Sequence, residues 1–167
     1  MKKETYVKMT QPFRDNPGMA KGIHIANKVC TVTMYIAYPL LVAYMLFARK
    51  DPYVACVIIV PANSFLILSV FRYLINRPRP YEAFDMPPVI AKDTKGKSFP
   101  SRHVFSAMII ALTFLLASPF LWLGVVFVVV SLLLAVVRVV SGVHYISDVV
   151  AGILVALVAA MIGYILL

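Results

Sequence analysis

Acidic residues are scarce in this chain of 167: Asp and Glu number seven, scattered along the sequence, against 16 Lys and Arg. No cluster of carboxylates stands ready to enclose a hard divalent cation, and His103 with His144 and Asp148 makes an incomplete zinc set. Metal-free chemistry without a cofactor is therefore expected. Cysteine is limited to Cys30 and Cys56. Both fall inside apolar runs, which argues for packing residues and against a disulfide framework. No internal repeat, low-complexity tract or linker between soluble domains is found. No cleavable signal sequence is expected either, because residues 1–28 are polar, carry six Lys and Arg and lack an apolar core of the usual length.

Apolar side chains, by contrast, are in excess. They make up 62% of the chain, and the mean hydropathy is +0.89. An ordinary soluble domain is roughly half apolar, so the composition implies an integral membrane protein, and the length allows one small domain. Apolar runs at 29–48, 52–71, 103–117, 120–137 and 145–167 read as membrane-spanning helices, the first needing about 20 residues to cross a hydrocarbon core of about 30 Å. The expected fold is all-α, a polytopic transmembrane helix bundle of about five spans, multi-pass in the cell membrane. Residues 1–28 form an N-terminal interfacial segment, broken near Pro12 and Pro17, and residues 29–167 form the membrane domain. Pro61 marks a kink in the second span, tolerated where a neighbour satisfies the freed carbonyl. Gly152 with Ala151, Ala156, Ala159 and Ala160 suits close helix packing in the last span.

The formal charge of +9 suits an anionic lipid surface or a phosphorylated substrate. With the basic residues confined to short connections between apolar spans, a nucleic-acid surface is disfavoured.

Three polar segments interrupt the apolar pattern. In the first, Arg72 lies on the last turn of the second span, and Pro78 and Pro80 force the chain into extended geometry around Arg79. Two guanidiniums held this way converge on one anion or, alternatively, anchor a helix end among lipid headgroups. The connection that follows, rich in Pro, Lys and Gly up to Lys97, reads as a lid or a headgroup contact. In the second segment, Ser101 is a candidate N-cap with His103 in the first turn, which presents free backbone N–H groups to an anion; a plain capping serine beside an interfacial histidine is the alternative. The third sets Arg138, His144 and Asp148 at a membrane boundary. Ionisable groups there mark a functional site by default. A carboxylate one helical turn after a histidine orients the imidazole and stabilises its charged form, although a salt-bridged helix start fits this segment alone equally well.

With five spans the connections alternate between the two sides of the bilayer, and all three segments fall on one face. Together they supply arginines, two histidines and a helix N-terminus, the equipment for holding and transferring a tetrahedral phosphate.

In order and spacing, Arg72 with Arg79-Pro80, then Pro100-Ser101-Arg102-His103, then Arg138 with His144 and Asp148 resemble the three signature segments of the type 2 phosphatidic acid phosphatase superfamily. That pattern is Lys-x6-Arg-Pro, Pro-Ser-Gly-His and Ser-Arg-x5-His-x3-Asp. This chain departs from it at Arg72 for lysine, Arg102 for glycine and Val137 for serine. The resemblance implies that His144 attacks phosphorus to give a phosphohistidine, that Asp148 orients it and that His103 protonates the leaving oxygen. Arg72, Arg79, Arg138 and Ser101 are then phosphate ligands, with Arg102 placed to reach a second phosphate.

The implied function is hydrolysis of a lipid phosphate, with undecaprenyl diphosphate as first candidate and phosphatidylglycerophosphate or phosphatidic acid as alternatives. A non-catalytic lipid-binding or transport protein is the alternative of another class. All Lys and Arg except Arg49 and Lys50 fall on the motif-bearing face. The positive-inside rule sets that face in the cytoplasm, whereas bacterial members of the family commonly face the site outward, so both orientations stay open.

Overall fold

The computed structural model describes residues 2–166, and among them every regular element is helical. α1 (Lys3–Asp15) leads into α2 (Pro17–Ala43), which continues as a π-helical turn, Tyr44–Arg49. α3 (Val54–Ile75) is followed by the single turn α4 (Pro80–Ala83), then α5 (Arg102–Ala117), α6 (Leu121–Val140) and α7 (Ile146–Met161), which ends in a second π-helical turn.

Four helical stretches are long and apolar enough to cross a membrane: Pro17–Arg49, Val54–Ala83, Leu121–Val140 and Ile146–Ile165. The remaining expected span is α5, which has only 16 residues and a length of about 24 Å at the standard rise. Its brevity goes with its position. Every residue from Val104 to Phe114 is buried, and the helix packs against α2, α3, α6 and α7, as an all-round apolar helix must. Its neighbours turn Leu66, Ile67, Leu74, Val129, Val136 and Leu154 outward. On a membrane protein these form the belt that lipid tails cover.

Two glycines set how closely the hub is approached. A Cβ on Gly124 would lie 2.5 Å from Leu115 Cα, and one on Gly152 would lie 2.9 Å from the Ser101 carbonyl oxygen. Small residues at such crossings let backbones meet, which is how helices associate when lipid removes the hydrophobic drive between them. The Gly152 crossing brings the first turn of α7 against the start of α5, where the Ser101 N–H donates to the Asp148 carbonyl at 2.8 Å.

Pro61 deprives the Val57 carbonyl of its helical donor, and the Tyr38 hydroxyl of α2 donates to that carbonyl at 3.0 Å. The N-terminal boundary differs from the sequence expectation. Asn16 caps α2, its Oδ1 accepting from Gly18 N–H at 2.9 Å and Met19 N–H at 3.2 Å, with Pro17 at the first helical position. The first span therefore starts well before Val29. Lys21 and Lys28 are exposed, so the charge that lowers the hydropathy of this stretch does not break the helix. Nor does Pro12, which lies inside α1.

Candidate active site

The polar ends of α3, α5, α6 and α7 meet at one end of the bundle. α3 stops at Ile75, with Asn76 in the left-handed region at φ 40°, and the prolines that follow bar a continuing helix. Arg79 occupies the N-cap of α4, and its N–H donates to Glu82 Oε2 at 2.7 Å. Glu82 Oε2 also accepts the Gly96 N–H at 2.9 Å. The connection read from the sequence as a lid or headgroup contact is tied down further, by Ser98 N–H to the Arg77 carbonyl and Val89 N–H to the Ser141 carbonyl, each at 2.9 Å. Arg79 Nε donates to the Gly96 carbonyl at 3.0 Å, and Arg72 donates to the carbonyls of Lys97 and Ser98. These bonds, together with Arg79 Nη1 donating to the Val143 carbonyl at 3.3 Å, fix both guanidiniums at the cleft they line.

His144 and Asp148 do meet, but not along a helix face as their spacing suggested. His144 lies in the loop before α7, whose N-cap is Tyr145. Asp148, in the first turn, reaches back across the cap. Its Oδ2 accepts the Tyr145 N–H at 3.0 Å and lies 3.4 Å from His144 Nδ1. The N-cap is the reason: a carboxylate there satisfies an orphan donor of the helix and meets the imidazole on its other side. The other ring nitrogen, Nε2, lies 3.4 Å from Arg79 Nη1. His144 is 1% exposed. Burial holds its pKa well below the ordinary 6.5, and the Arg138 and Arg79 charges add to that against the opposing hydrogen bond to Asp148. A neutral imidazole results, and with its proton on Nδ1 toward Asp148 the Nε2 lone pair faces the Arg79 guanidinium.

A cleft of 360 Å³ is lined by Arg72, Arg79, Lys92, Arg102, His103 and His144 among others, and by no carboxylate. Arg102 is exposed at the rim, its Cζ 5.7 Å from the Phe65 ring centre. Ser101 takes the N-cap position of α5 as expected, yet its hydroxyl makes no capping bond. Its Oγ is buried without a partner among the described residues. Arg138 is not among the residues lining the cleft and is 2% exposed. Its Nη1 donates to Asn27 Oδ1 of α2 at 3.0 Å, while Nε and Nη2 have no partner among the described residues. Buried donors left unpaired typically cost about 1–3 kcal/mol each.

Sequence reasoning missed two residues around Asp148. Arg77 Nη1 donates to its Oδ1 at 2.8 Å and to Ser147 Oγ at 2.9 Å, with the guanidinium 4.2 Å over the Tyr145 ring. Ser98 Oγ donates to Asp148 Oδ2. The doubled Arg-Pro of Arg77-Pro78-Arg79-Pro80 was the available signal for the first; Ser98 carried none. Among the described residues no three His, Cys, Asp or Glu side chains gather as a metal site would require.

A bundle of apolar spans whose polar end holds a buried histidine–aspartate pair beside a cation-lined cleft defines a multi-pass membrane protein. The chain belongs to the PAP2 superfamily, whose sequence profile matches residues 52–167. It is similar to an undecaprenyl-diphosphatase of Sulfolobus acidocaldarius, 26% identical over 118 residues that cover 71% of this chain and 57% of that protein. The chain thus spans little more than half the length of that relative. Its fold is that of the crystal structures of Aquifex aeolicus LpxE (TM-score 0.72, 21% identity, 96% of this chain and 92% of that one) and of the first transmembrane PAP2 type phosphatidylglycerolphosphate phosphatase from Bacillus subtilis (TM-score 0.73, 22% identity, 95% and 82%).

Proposed function

We propose that the protein is a membrane-embedded lipid phosphate phosphatase working through a phosphohistidine on His144, with undecaprenyl diphosphate as the first candidate substrate. One observation carries this reading: the buried His144 turns Nδ1 to Asp148 and Nε2 to Arg79, at a cleft lined by cations and no carboxylate. In the proposed reaction Nε2 attacks phosphorus while Asp148 stabilises the positive charge that grows on the ring. His103 gives its proton to the leaving oxygen, then takes one from the water that releases phosphate. Arg72, Arg79, Arg138 and Ser101 hold the equatorial oxygens, where transition-state charge is spread. No step needs a metal.

The test is phosphate release from a panel of lipid phosphates in detergent with chelator present. Turnover without metal and inhibition by vanadate are expected. A strict metal requirement defeats the mechanism, and binding of lipid phosphates without any turnover favours a non-catalytic lipid-binding or transport role. The panel includes phosphatidylglycerophosphate and phosphatidic acid, the former because a structural relative bears that name. A fastest rate on either replaces undecaprenyl diphosphate as the substrate.

A further inference from the structure

The outer half of the cleft carries positive charge that the chemistry at His144 does not use. Arg72, Arg79 and His144 are buried and form the floor, whereas Lys97 and Arg102 are exposed and Lys92 is half-buried around the rim. Two of the three rim cations lie over aromatic faces: Lys97 Nζ is 4.9 Å from the Tyr73 ring centre and Arg102 Cζ 5.7 Å from that of Phe65. Cation–π contacts position a charge without neutralising it. Lys92 registers the crowding. Burial first, then the charges of Arg138, Arg79, Arg102 and Arg72, lowers its pKa from the ordinary 10.5, because each neighbouring cation disfavours its protonated form. One phosphate dianion on the floor is already matched by Arg72 and Arg79, which leaves the rim cations uncompensated.

We propose that Lys92, Lys97 and Arg102 form a second phosphate-binding locus, which takes the lipid-side phosphate of a diphosphate substrate while the terminal phosphate lies against His144. This rests on the phosphatase reading above and selects the diphosphate class within it. His144 Nε2 bonds to the terminal phosphorus, and the bond from that phosphorus to the bridging oxygen breaks. The electron pair stays on that oxygen, now part of a lipid monophosphate, and His103 supplies its proton. Water then attacks the phosphohistidine, giving orthophosphate and returning a proton to His103. The rim cations face the charge that develops on the departing phosphate, where fixed positive groups are most effective.

The experiment measures binding of inorganic pyrophosphate and orthophosphate to the full chain in detergent micelles by calorimetry. Pyrophosphate is expected to bind about tenfold more tightly, as paired charge-assisted contacts imply. The preference disappears in the Lys92→Gln, Lys97→Gln double variant and persists in Lys95→Gln, which changes an exposed lysine outside the cleft lining. Equal affinities in the unsubstituted protein, or a preference that survives the double variant, overturn the proposal. Hydrolysis of the lipid panel is scored separately. A protein that hydrolyses nothing yet keeps the pyrophosphate preference defeats the phosphatase reading, and the second locus stands.

Discussion

Replacing Arg77 with Gln probes the support of Asp148 without touching the cleft, since Arg77 is not among the residues that line it. Asp148 is fully buried, and its Oδ1 receives its charged hydrogen bond from Arg77 at 2.8 Å, while Oδ2 keeps Ser98, the Tyr145 N–H and His144. A hydrogen bond to a charged group contributes about 1.5–3 kcal/mol. The Arg77 side chain is 34% exposed, so solvent screening holds the expected loss to the lower end, about 1.5 kcal/mol. If that loss falls on the orientation of the His144–Asp148 pair, kcat drops about tenfold, because each 1.36 kcal/mol on the barrier is a factor of ten. KM is expected to stay within about twofold, since Arg77 lies outside the cleft lining and its loss removes no contact to substrate. Steady-state phosphate release in detergent reads both constants, and Arg77→Lys, which keeps the charge, recovers part of kcat. A large rise in KM at unchanged kcat would show that Arg77 contacts substrate and refute the positioning role, and so would kinetics equal to those of the unsubstituted protein.

Three further outcomes follow from the geometry. Gly152→Ala puts a methyl group 2.9 Å from the Ser101 carbonyl oxygen, so α7 and α5 must separate; a loss of about 1–3 kcal/mol in stability is expected, with activity falling further than in an alanine variant at exposed Val150, and full stability and activity would contradict the close crossing. Because the folded protein holds the His144 pKa below its unfolded value near 6.5, the unfolded chain binds more protons as pH falls. The stability contributed by a neutral His144 is complete above about pH 6.5 and declines below it by up to about 1.4 kcal/mol per pH unit. The thermal midpoint of the unsubstituted protein should therefore drop more between pH 7 and 5 than that of His144→Asn, and equal drops would count against the shift. A cysteine at Lys95, introduced after Cys30 and Cys56 are replaced, reports the side of the site. The excess of Lys and Arg on that face predicts protection from an impermeant thiol reagent in intact cells, and labelling would set the face outside.

How far the sequence was legible depended on the distance over which each residue acts. The apolar runs show the helices directly, and Pro78 and Pro80 fix the exit of α3 through local sterics. Hydropathy alone sets the start of α2 too late, because Lys21 and Lys28 lower it over a stretch whose helical start, Asn16-Pro17, is written in capping chemistry. Spacing pairs His144 with Asp148, yet their contact runs across a helix cap, a geometry that spacing alone does not distinguish from a helix face. The supporting shell was out of reach. Arg77 and Ser98 approach Asp148 across 71 and 50 residues of chain, and Asn27 holds Arg138 across 111. Those contacts exist only because α5 gathers the helix ends around it.

The reading of His144 as nucleophile is tested most directly by the stereochemical course at phosphorus, which does not require the intermediate to accumulate. Hydrolysis of a lipid phosphate made chiral with sulfur and oxygen isotopes should proceed with net retention, since attack by His144 and then by water each invert the centre. Net inversion would mean that water attacks the substrate directly, and a phosphohistidine mechanism at His144 would be ruled out.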